Sequence, residues 1–519
     1  MYYRVCIVVV FLLSLVLPQT TLAASSKSAG TKLTFENYQI TAPFNVSLPV
    51  MSVDLVKSAE YSANELVIIG SDEQQQTWLA VYALDKSAND FILLDKLKLA
   101  AKYFAFDMGD KEKQLYFLSK NSVVSLQYNS QLKASAKEDS ALFLQQKQSV
   151  NSIFLLNEAS FITENDFVLD INDDGLDDII LPDFEQINIW LAQKNTADYV
   201  YQTLPISTKS ELSRGGVNFR PKDLFYADFT LDGLQDIAWI SQGSVNYFSQ
   251  EAGKFSLTQN TITLNESIYG LDWWEIREAD GESPDQSDLT HRAVEQIKDI
   301  NGDGLVDVVV RFTQSSGVLD RKNDYEFYFG ATNNAGQFEF PKTASTVIKA
   351  EGTLTGLNII DVNNDQKFEV LLSSFELSIS NIIGALLSGG IDQNVLLFGL
   401  NEENVYEEDA IINKEVELNF SLSSGQSGMP IVLLADVNGD QHKDLILSSD
   451  EEQLKIFQGR ESAKLFNRKA SKHKLVLPKN GALFKHFDIN HDGKEDFVMR
   501  YGRLDGENMA NKVTIVMVK

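Results

Sequence analysis

The stretch "DINGDGLVD" at residues 299–307 sets three carboxylates, an asparagine and two glycines within nine residues, and five more segments repeat its plan. They are "DINDDGLDD" at 170–178, "DFTLDGLQD" at 228–236, "DVNNDQKFE" at 361–369, "DVNGDQHKD" at 436–444 and "DINHDGKED" at 488–496. Acids recur at positions 1, 5 and 9, with Asn at position 3 in every copy but that at 228. The chain already has a formal net charge of −28, so clusters like these repel themselves unless a cation lies among them.

The flanks of each nonamer repeat too. An apolar run leads in, as in "LNIIDV" before Asn363 and "IVLLADV" before Asn438. A second run follows at once: "DIILPDF", "DIAWIS", "DVVVRF", "EVLLSS", "DLILSS" and "DFVMRY". Runs so rich in β-branched and aromatic residues predict strands, which makes each nonamer the loop of a β-hairpin. A third run comes next ("INIWLAQ", "VNYFSQ", "YEFYFGA", "LKIFQG"), and a less regular fourth strand completes the repeat. Two degenerate copies precede the six. "SVDLVKSAEYSANELVIIGS" holds Asp54 with Ser58 at the fifth position, and "YFAFDMGDKEKQLYFLSK" holds Asp107 with Lys111 there. A length of 519 residues suggests several domains, but an internal repeat overrides that prior. Four-stranded repeats set around a ring predict an all-β protein, an eight-bladed β-propeller, with seven blades as the alternative. The last repeat supplies three strands, ending in "KVTIVMVK", and "KLTFENYQI" at 32–40 is a spare strand placed to complete it and close a single domain over 32–519. Two insertions interrupt the pattern. Residues 269–292 carry Trp273 and Trp274. Residues 378–394 put Ile382, Ile383, Leu386 and Leu387 on one helical face before a Gly389-Gly390 stop, which predicts a short helix.

The first 23 residues, with Arg4, an apolar run from Val5 to Leu17, Pro18 and Thr21-Leu22-Ala23, have the build of a secretory signal peptide, followed by a flexible mature N-terminus at 24–31. The run is short for a membrane span, and no later segment has the length and apolarity for one. The expected location is periplasmic or extracellular. Cys6, the one cysteine, lies in the leader, so the mature chain builds no disulfide although its compartment permits them. The acidic charge excludes nucleic acid as a partner.

The chemistry of the nonamer fits Ca²⁺, a hard ion that takes six to eight oxygens. In the copy at 299, Asp299, Asn301 and Asp303 offer side-chain oxygens, Leu305 its backbone carbonyl, and Asp307 closes the site. Magnesium keeps more of its waters, and the His and Cys that zinc prefers are missing from these positions. An EF-hand needs a bidentate Glu at position 12 and flanking helices, whereas position 12 is Leu181 or Val310 in two copies and the flanks are strands.

On these loops the chain resembles FG-GAP/VCBS repeat proteins, the units of the integrin α-chain propeller, strongly from about 165 to 519 and weakly before that. The resemblance implies a calcium site through the same five positions of each loop: Asp170, Asn172, Asp174, Leu176 and Asp178; Asp228, Thr230, Asp232, Leu234 and Asp236; Asp361, Asn363, Asp365, Lys367 and Glu369; Asp436, Asn438, Asp440, His442 and Asp444; and Asp488, Asn490, Asp492, Lys494 and Asp496. The pattern departs at Thr230 and at Gln366 and Gln441, where the family has Gly. The expected order puts 170, 299 and 488 first, then 436, 361 and 228, with no metal at 54 or 107.

These ions are expected to be structural. The five histidines, His291, His442, His473, His486 and His491, form no recognisable catalytic motif, and no nucleophile elbow or phosphate-cradling loop occurs. The expected function is therefore that of a non-enzymatic binding scaffold for a protein or carbohydrate, a monomeric disc. A propeller-based polysaccharide lyase is the alternative. For Trp273 and Trp274, packing of a long loop competes with a ligand platform.

Overall fold

The computed structural model describes residues 32–519 apart from 57–60, 62, 112, 132–139, 154–156, 197, 214–215, 278–281, 318–319, 350–352, 376–389, 422–425, 450–451 and 463. Its regular structure is β-strand apart from short helical turns. One motif recurs: a strand, the acidic loop, a second strand, then two more, all antiparallel and hydrogen-bonded in chain order. The third meander shows it plainly, with Val168–Leu169, Asp178–Pro182, Ile187–Ala192 and Tyr199–Leu204 in sequence. Phe225–Ala227 opens the next, Leu289–Lys298 the one after, then Thr353–Ile360 and Val432–Ala435. A single parallel bridge, Asn323 to Thr353, joins the meanders that begin at Leu289 and Thr353. The first two meanders, opened by Met51–Val53 and Tyr103–Met108, follow the same order.

The last sheet is made differently. Phe484–Phe487, Asp496–Arg500 and Lys512–Val518 come from the C-terminus, and its fourth strand is Phe35–Thr41 from the other end of the chain. That strand runs antiparallel to Lys512–Val518 from Phe35 opposite Val518 to Thr41 opposite Lys512.

Why these runs are apolar on both faces follows from how the meanders pack. Side chains alternate sides along a strand, so one strand serves two cores. Leu66 and Ile68 of the first meander pack with Val513 and Ile515 of the last, while Val67 and Ile69 between them pack with Phe106 and Phe117 of the second. Ala105 and Leu118 then meet Ile179 and Trp190. Ile180 and Ile189 meet Ile237 and Phe248. Ala238 and Val245 meet Val308 and Val310. Val309 and Phe327 meet Val370 and Leu372. Leu371 and Val395 meet Leu445 and Leu447. Ile446 and Ile456 meet Phe497 and Val516 of the last sheet. Outer strands lie at the rim and alternate instead, as Asp90–Lys98 does with Phe91 buried and Asp90 exposed.

Three segments depart from expectation. The second insertion is shorter than 378–394, because Gly390 begins the strand Gly390–Phe398; Gly390 extends a sheet where a helix stop was expected, and the helical face at 382–387 lies outside the described residues. The first insertion ends before residue 292, since Leu289–Lys298 is already strand, with Ile268–Tyr269 laid parallel to it. A further hairpin, Lys209–Ser213 with Gly216–Arg220, stands between the third and fourth meanders and had no clear mark in the sequence.

Deleting residues 33–41 removes a whole strand of the last sheet and the buried Tyr38 and Ile40. The truncated protein is expected to melt well below the full chain, and Ile40→Ala alone to lose about 2–5 kcal/mol. Calorimetry checks both; an unchanged melt after the deletion would show that the terminal strand is dispensable.

Candidate functional site

The ninth-position acid opens the second strand of each of the six meanders and is the most buried polar group there. Asp178, Asp236, Asp307, Asp444 and Asp496 are fully buried, and Glu369 is nearly so. Its oxygens are spoken for by the backbone. In the loop at 299, Asp307 Oδ2 accepts from Ile300 N at 2.8 Å and Oδ1 from Gly330 N at 2.9 Å. Asp236 takes Phe229 N and Gln250 N, both at 2.9 Å, and Asp496 takes Ile489 N at 3.2 Å and Val518 N at 2.9 Å. Asp178 and Asp444 repeat the pair, and Glu369 keeps the bond from Val362 N at 2.9 Å. Each of the five aspartates thus ties the second residue of its loop to the end of the third strand, while Glu369 holds the loop side alone. Burial pushes these carboxyls up, to about 7 for Asp178, Asp307, Glu369, Asp444 and Asp496 and about 6 for Asp236; the backbone bonds oppose the rise, and the charges at positions 5 and 1 add to it.

The remaining acids line the inside of the loop. Asp299 accepts from Gly302 N and Gly304 N, both at 2.8 Å, Asn301 Oδ1 from Asp303 N at 3.0 Å, and Asp303 Oδ1 from Leu305 N at 2.8 Å. The other loops share most of this pattern: Gly175 N, Gly233 N, Gln366 N, Gln441 N and Gly493 N all donate to the first-position Asp. The backbone φ is positive at positions 4 and 6 of all six loops, between 56° and 86°. Position 6 is Gly in four of the loops, and Gln366 and Gln441 adopt the same backbone at 69° and 70°. Position 4 was missed in the sequence, although its Asp173, Asn364 and His491 belong to the non-glycine types that tolerate this region best; Leu231 does not.

The donors are all oxygen, which suits a hard cation, and Thr230 Oγ1 stands near Asp228 Oδ1 at 3.4 Å in the one loop without Asn. The carboxylates are held on backbone N–H groups, however. Among the described residues no three His, Cys, Asp or Glu side chains converge closely enough to hold an ion by themselves. Each of these oxygens keeps a lone pair beside the N–H bond it accepts, so the side chains at positions 1, 3 and 5 retain acceptor capacity for a cation.

The loops of neighbouring meanders touch. Phe368 N donates to Ile300 O at 3.1 Å, Lys443 N to Val362 O at 2.8 Å, Glu495 N to Asp436 O at 2.8 Å, and Asn64 N to Ile489 O at 2.8 Å. A Cβ added at Gly302 would come within 2.5 Å of Gln366 O in the next loop. Lysines reach across such contacts, Lys443 Nζ to Glu495 Oε2 at 3.0 Å among them. Lys111 Nζ lies 3.5 Å from Asp170 Oδ2, and Lys298 Nζ donates to Ile359 O at 3.0 Å beside Asp361, its ammonium pulled down to about 8 by burial.

The degenerate copies are corrected in register. Asp107 lies inside the strand Tyr103–Met108, paired with Tyr116, and not at the first position of a loop; Met108 opposite Leu115 closes a shorter turn. Asp107 Oδ2 instead accepts from Phe167 N and Val168 N, both at 2.6 Å. In the first meander Ser58 lies outside the described residues. Its counterpart of the ninth acid is Glu65, opposite Val53, whose Oε2 accepts from Leu55 N at 2.8 Å. A longer loop had hidden that Glu, although an acid at the head of "ELVIIGS" was the available signal.

Trp273 is 5% exposed and packs edge-on against Trp274 at 5.5 Å, while Trp274 is 42% exposed with the Arg311 guanidinium 4.3 Å from its ring. Arg311 also pairs with Asp272 and with Glu295, clamping the insertion to the strand beneath. The histidines have structural partners: Leu271 O for His291, Asp440 O for His442, Asn37 for His473, Glu495 for His486 and Asn64 for His491.

Neither a family model nor a curated protein matches the chain. Among solved structures, a candidate 6-phosphogluconolactonase from Bacteroides fragilis is 10% identical, covering 83% of this chain and 96% of its own, with a TM-score of 0.32. The WD40 domain of SCAP from fission yeast is 9% identical, covering 86% and 99%, with a TM-score of 0.31. Hsv2 from Kluyveromyces lactis is 10% identical, covering 81% and 98%, with a TM-score of 0.27. Scores this low fall short of a shared fold in detail.

Left-handed backbone costs an L-residue about 1–2 kcal/mol, less what a glycine loses in the unfolded chain, about 0.4–1 kcal/mol. Gln441→Gly and Leu231→Gly are therefore expected to raise stability slightly. Gly304→Ala, with open space around it, lowers it modestly, and Gly302→Ala, which meets Gln366 O, lowers it more. Urea titration of the four variants in chelator ranks them.

The raised ninth-position carboxyls carry a sign. Their folded values of about 6–7 lie above the ordinary aspartate value of about 3.9. Their contribution to stability is therefore fully present at pH 4 and lost as pH rises through 6–7. In chelator the protein is expected to melt higher at pH 5 than at pH 8, and Asp307→Asn to flatten that slope. A melt that rises steadily from pH 5 to pH 8 would contradict the assignment.

Proposed function

We propose that residues 32–519 form an eight-bladed β-propeller, closed by the strand at 32–40, that is exported, stabilised by several Ca²⁺ ions in its hairpin loops, and serves as a binding scaffold for a protein or carbohydrate. The observation that carries this is the hairpin loop repeated in six meanders, with one backbone shape, one buried acid and an all-oxygen donor set. Ring closure is supported by the pairing of Phe35–Thr41 with Lys512–Val518 and by apolar clusters that link each meander to the next and the last to the first. Asp, Asn or Thr at positions 1, 3 and 5, the carbonyl at 7 and the acid at 9 would hold each ion. The ion supplies positive charge where acids are packed together, and no chemistry of reaction is assigned to it. No helix among the described residues is long and apolar enough to cross a membrane.

The loops are not equal in this reading. Those at 299 and 488 keep every position. The loop at 170 keeps them as well, but Lys111 stands 3.5 Å from its first aspartate and competes with the ion, so we rank it below 299; at 488, Lys494 Nζ lies a looser 3.8 Å from Asp492.

Calcium is expected to raise the melting temperature and chelator to lower it. With a Kd of about 10⁻⁴–10⁻³ M, each site adds about 2.7 kcal/mol at 100 times Kd, an upper bound where loops are coupled. Lys111→Ala is expected to tighten the 170 site without affecting that at 299, as read by calcium titration and by anomalous scattering from crystals grown in millimolar calcium. Melting indifferent to chelator would sink the calcium reading. A 170 loop filled as readily as 299 in the wild-type protein would sink only the role given to Lys111.

A further inference from the structure

Between the second and third meanders lies a groove of about 690 Å³ whose walls, among the described residues, carry no Lys or Arg. That is within the range of sites that hold small ligands. Its one carboxylate, Asp183, already accepts from Phe184 N at 2.8 Å. Apart from Ser149 and Val150, the rest of the lining is side-chain amides and aromatic rings, in a chain whose charge elsewhere is dense and acidic.

The register of the third meander explains how they come together. Trp190 stands opposite Tyr201 and Asn188 opposite Thr203, so Asn188, Trp190 and Tyr201 share one face of the sheet. The two rings are 5.3 Å apart, inclined at 39°. Trp190 is 7% exposed and backs the wall, while Tyr201 is 55% exposed and offers an open aromatic surface. Tyr201 Oη donates to Asn188 Oδ1 at 2.8 Å, and Gln186 Nε2 donates to the same oxygen at 3.0 Å. Asn188 is only 4% exposed, and its Oδ1 is doubly occupied. Its amide lines the groove beside that of Gln186. Gln148 from the neighbouring meander lines the same groove, its Nε2 donating to Ser149 O at 3.2 Å.

We propose that this groove binds a neutral oligosaccharide. A sugar presents an apolar C–H face that suits the Tyr201 ring, and hydroxyls that both donate and accept, as the planar amides of Gln148, Gln186 and Asn188 do. The absence of lysine and arginine from the lining removes the means of holding a uronate or phosphate. An extended proline-rich peptide would also lie on tyrosine and tryptophan, but its carbonyls only accept, which leaves the amide oxygens unused. The proposal rests on the binding-scaffold reading and names its ligand class. It does not depend on which loops hold calcium.

Isothermal titration of the full mature chain in calcium tests it, using cellohexaose, laminarihexaose, chitohexaose, maltohexaose and mannohexaose as probes, with hexagalacturonate and a decaproline peptide beside them. At least one neutral hexasaccharide is expected to bind. Tyr201→Ala or Gln148→Ala is expected to weaken it about tenfold, and Tyr201→Phe, which keeps the ring, by less; the melt of each variant, read alongside, separates lost binding from lost fold. The proposal is overturned if none of the five binds, if the bound sugar keeps its affinity in both variants, or if the uronate or the peptide binds more tightly than every neutral sugar. A chain that binds no sugar but melts higher in calcium loses this site and keeps the calcium-stabilised reading. One that binds a sugar but ignores calcium does the reverse.

Discussion

A carboxylate buried at the head of the second strand is the interaction on which the repeated meander depends. It receives the N–H of the loop's second residue on one oxygen and, in five of the six loops, an N–H from the end of the third strand on the other. Those backbone groups have no strand partner at that point, and burying them unsatisfied costs more than an ordinary hydrogen bond returns. The acid satisfies both and fixes where the loop ends and the sheet begins. Glu65 keeps the loop side of this device in the first meander, accepting from Leu55 N and Val56 N on a longer loop where the rest of the acidic pattern is gone.

That device creates an electrostatic problem. A carboxyl without bulk water, facing two more acids in its own loop, is pushed toward the protonated state at neutral pH. The loop then has two ways to settle: bind a proton or bind a cation. Lys111 beside Asp170 and Lys298 beside Asp361 are partial answers supplied by neighbouring meanders. The loops at 228 and 299 have no lysine placed this way among the described ion pairs.

The packing between meanders rests on a different constraint. Because alternate side chains of an inner strand face opposite neighbours, Ile68 and Val67 belong to different cores though adjacent in the chain. No meander can bury its inner strands alone, and the last sheet needs a strand from the other terminus. The loops follow the same economy of contact: Gly302 is small because Gln366 of the next loop sits where a side chain would be.

Much of this was legible in one dimension. Six acidic nonamers between apolar runs mark the hairpins, and the spare run at 32–40 marks a strand without a local partner, because alternation and turn chemistry are local properties that sequence carries directly. The sixth-position backbone was foreseeable from glycine, and its two glutamines stand in the same conformation. What stayed hidden depends on residues far apart in the chain. Position 4 needs its left-handed turn because of the path between two strands, and Leu231 gave no sign of it. The shift that moves Asp107 into a strand, the lysine bridges between loops, the hairpin at 209–220 and the groove beside Tyr201 all arise from how one meander is laid against the next. Residue types and periods determine which segments pair locally; which charges, amides and rings then face one another is decided only when the meanders close on each other, because that juxtaposition is set by packing across the sheets and not by spacing along the chain.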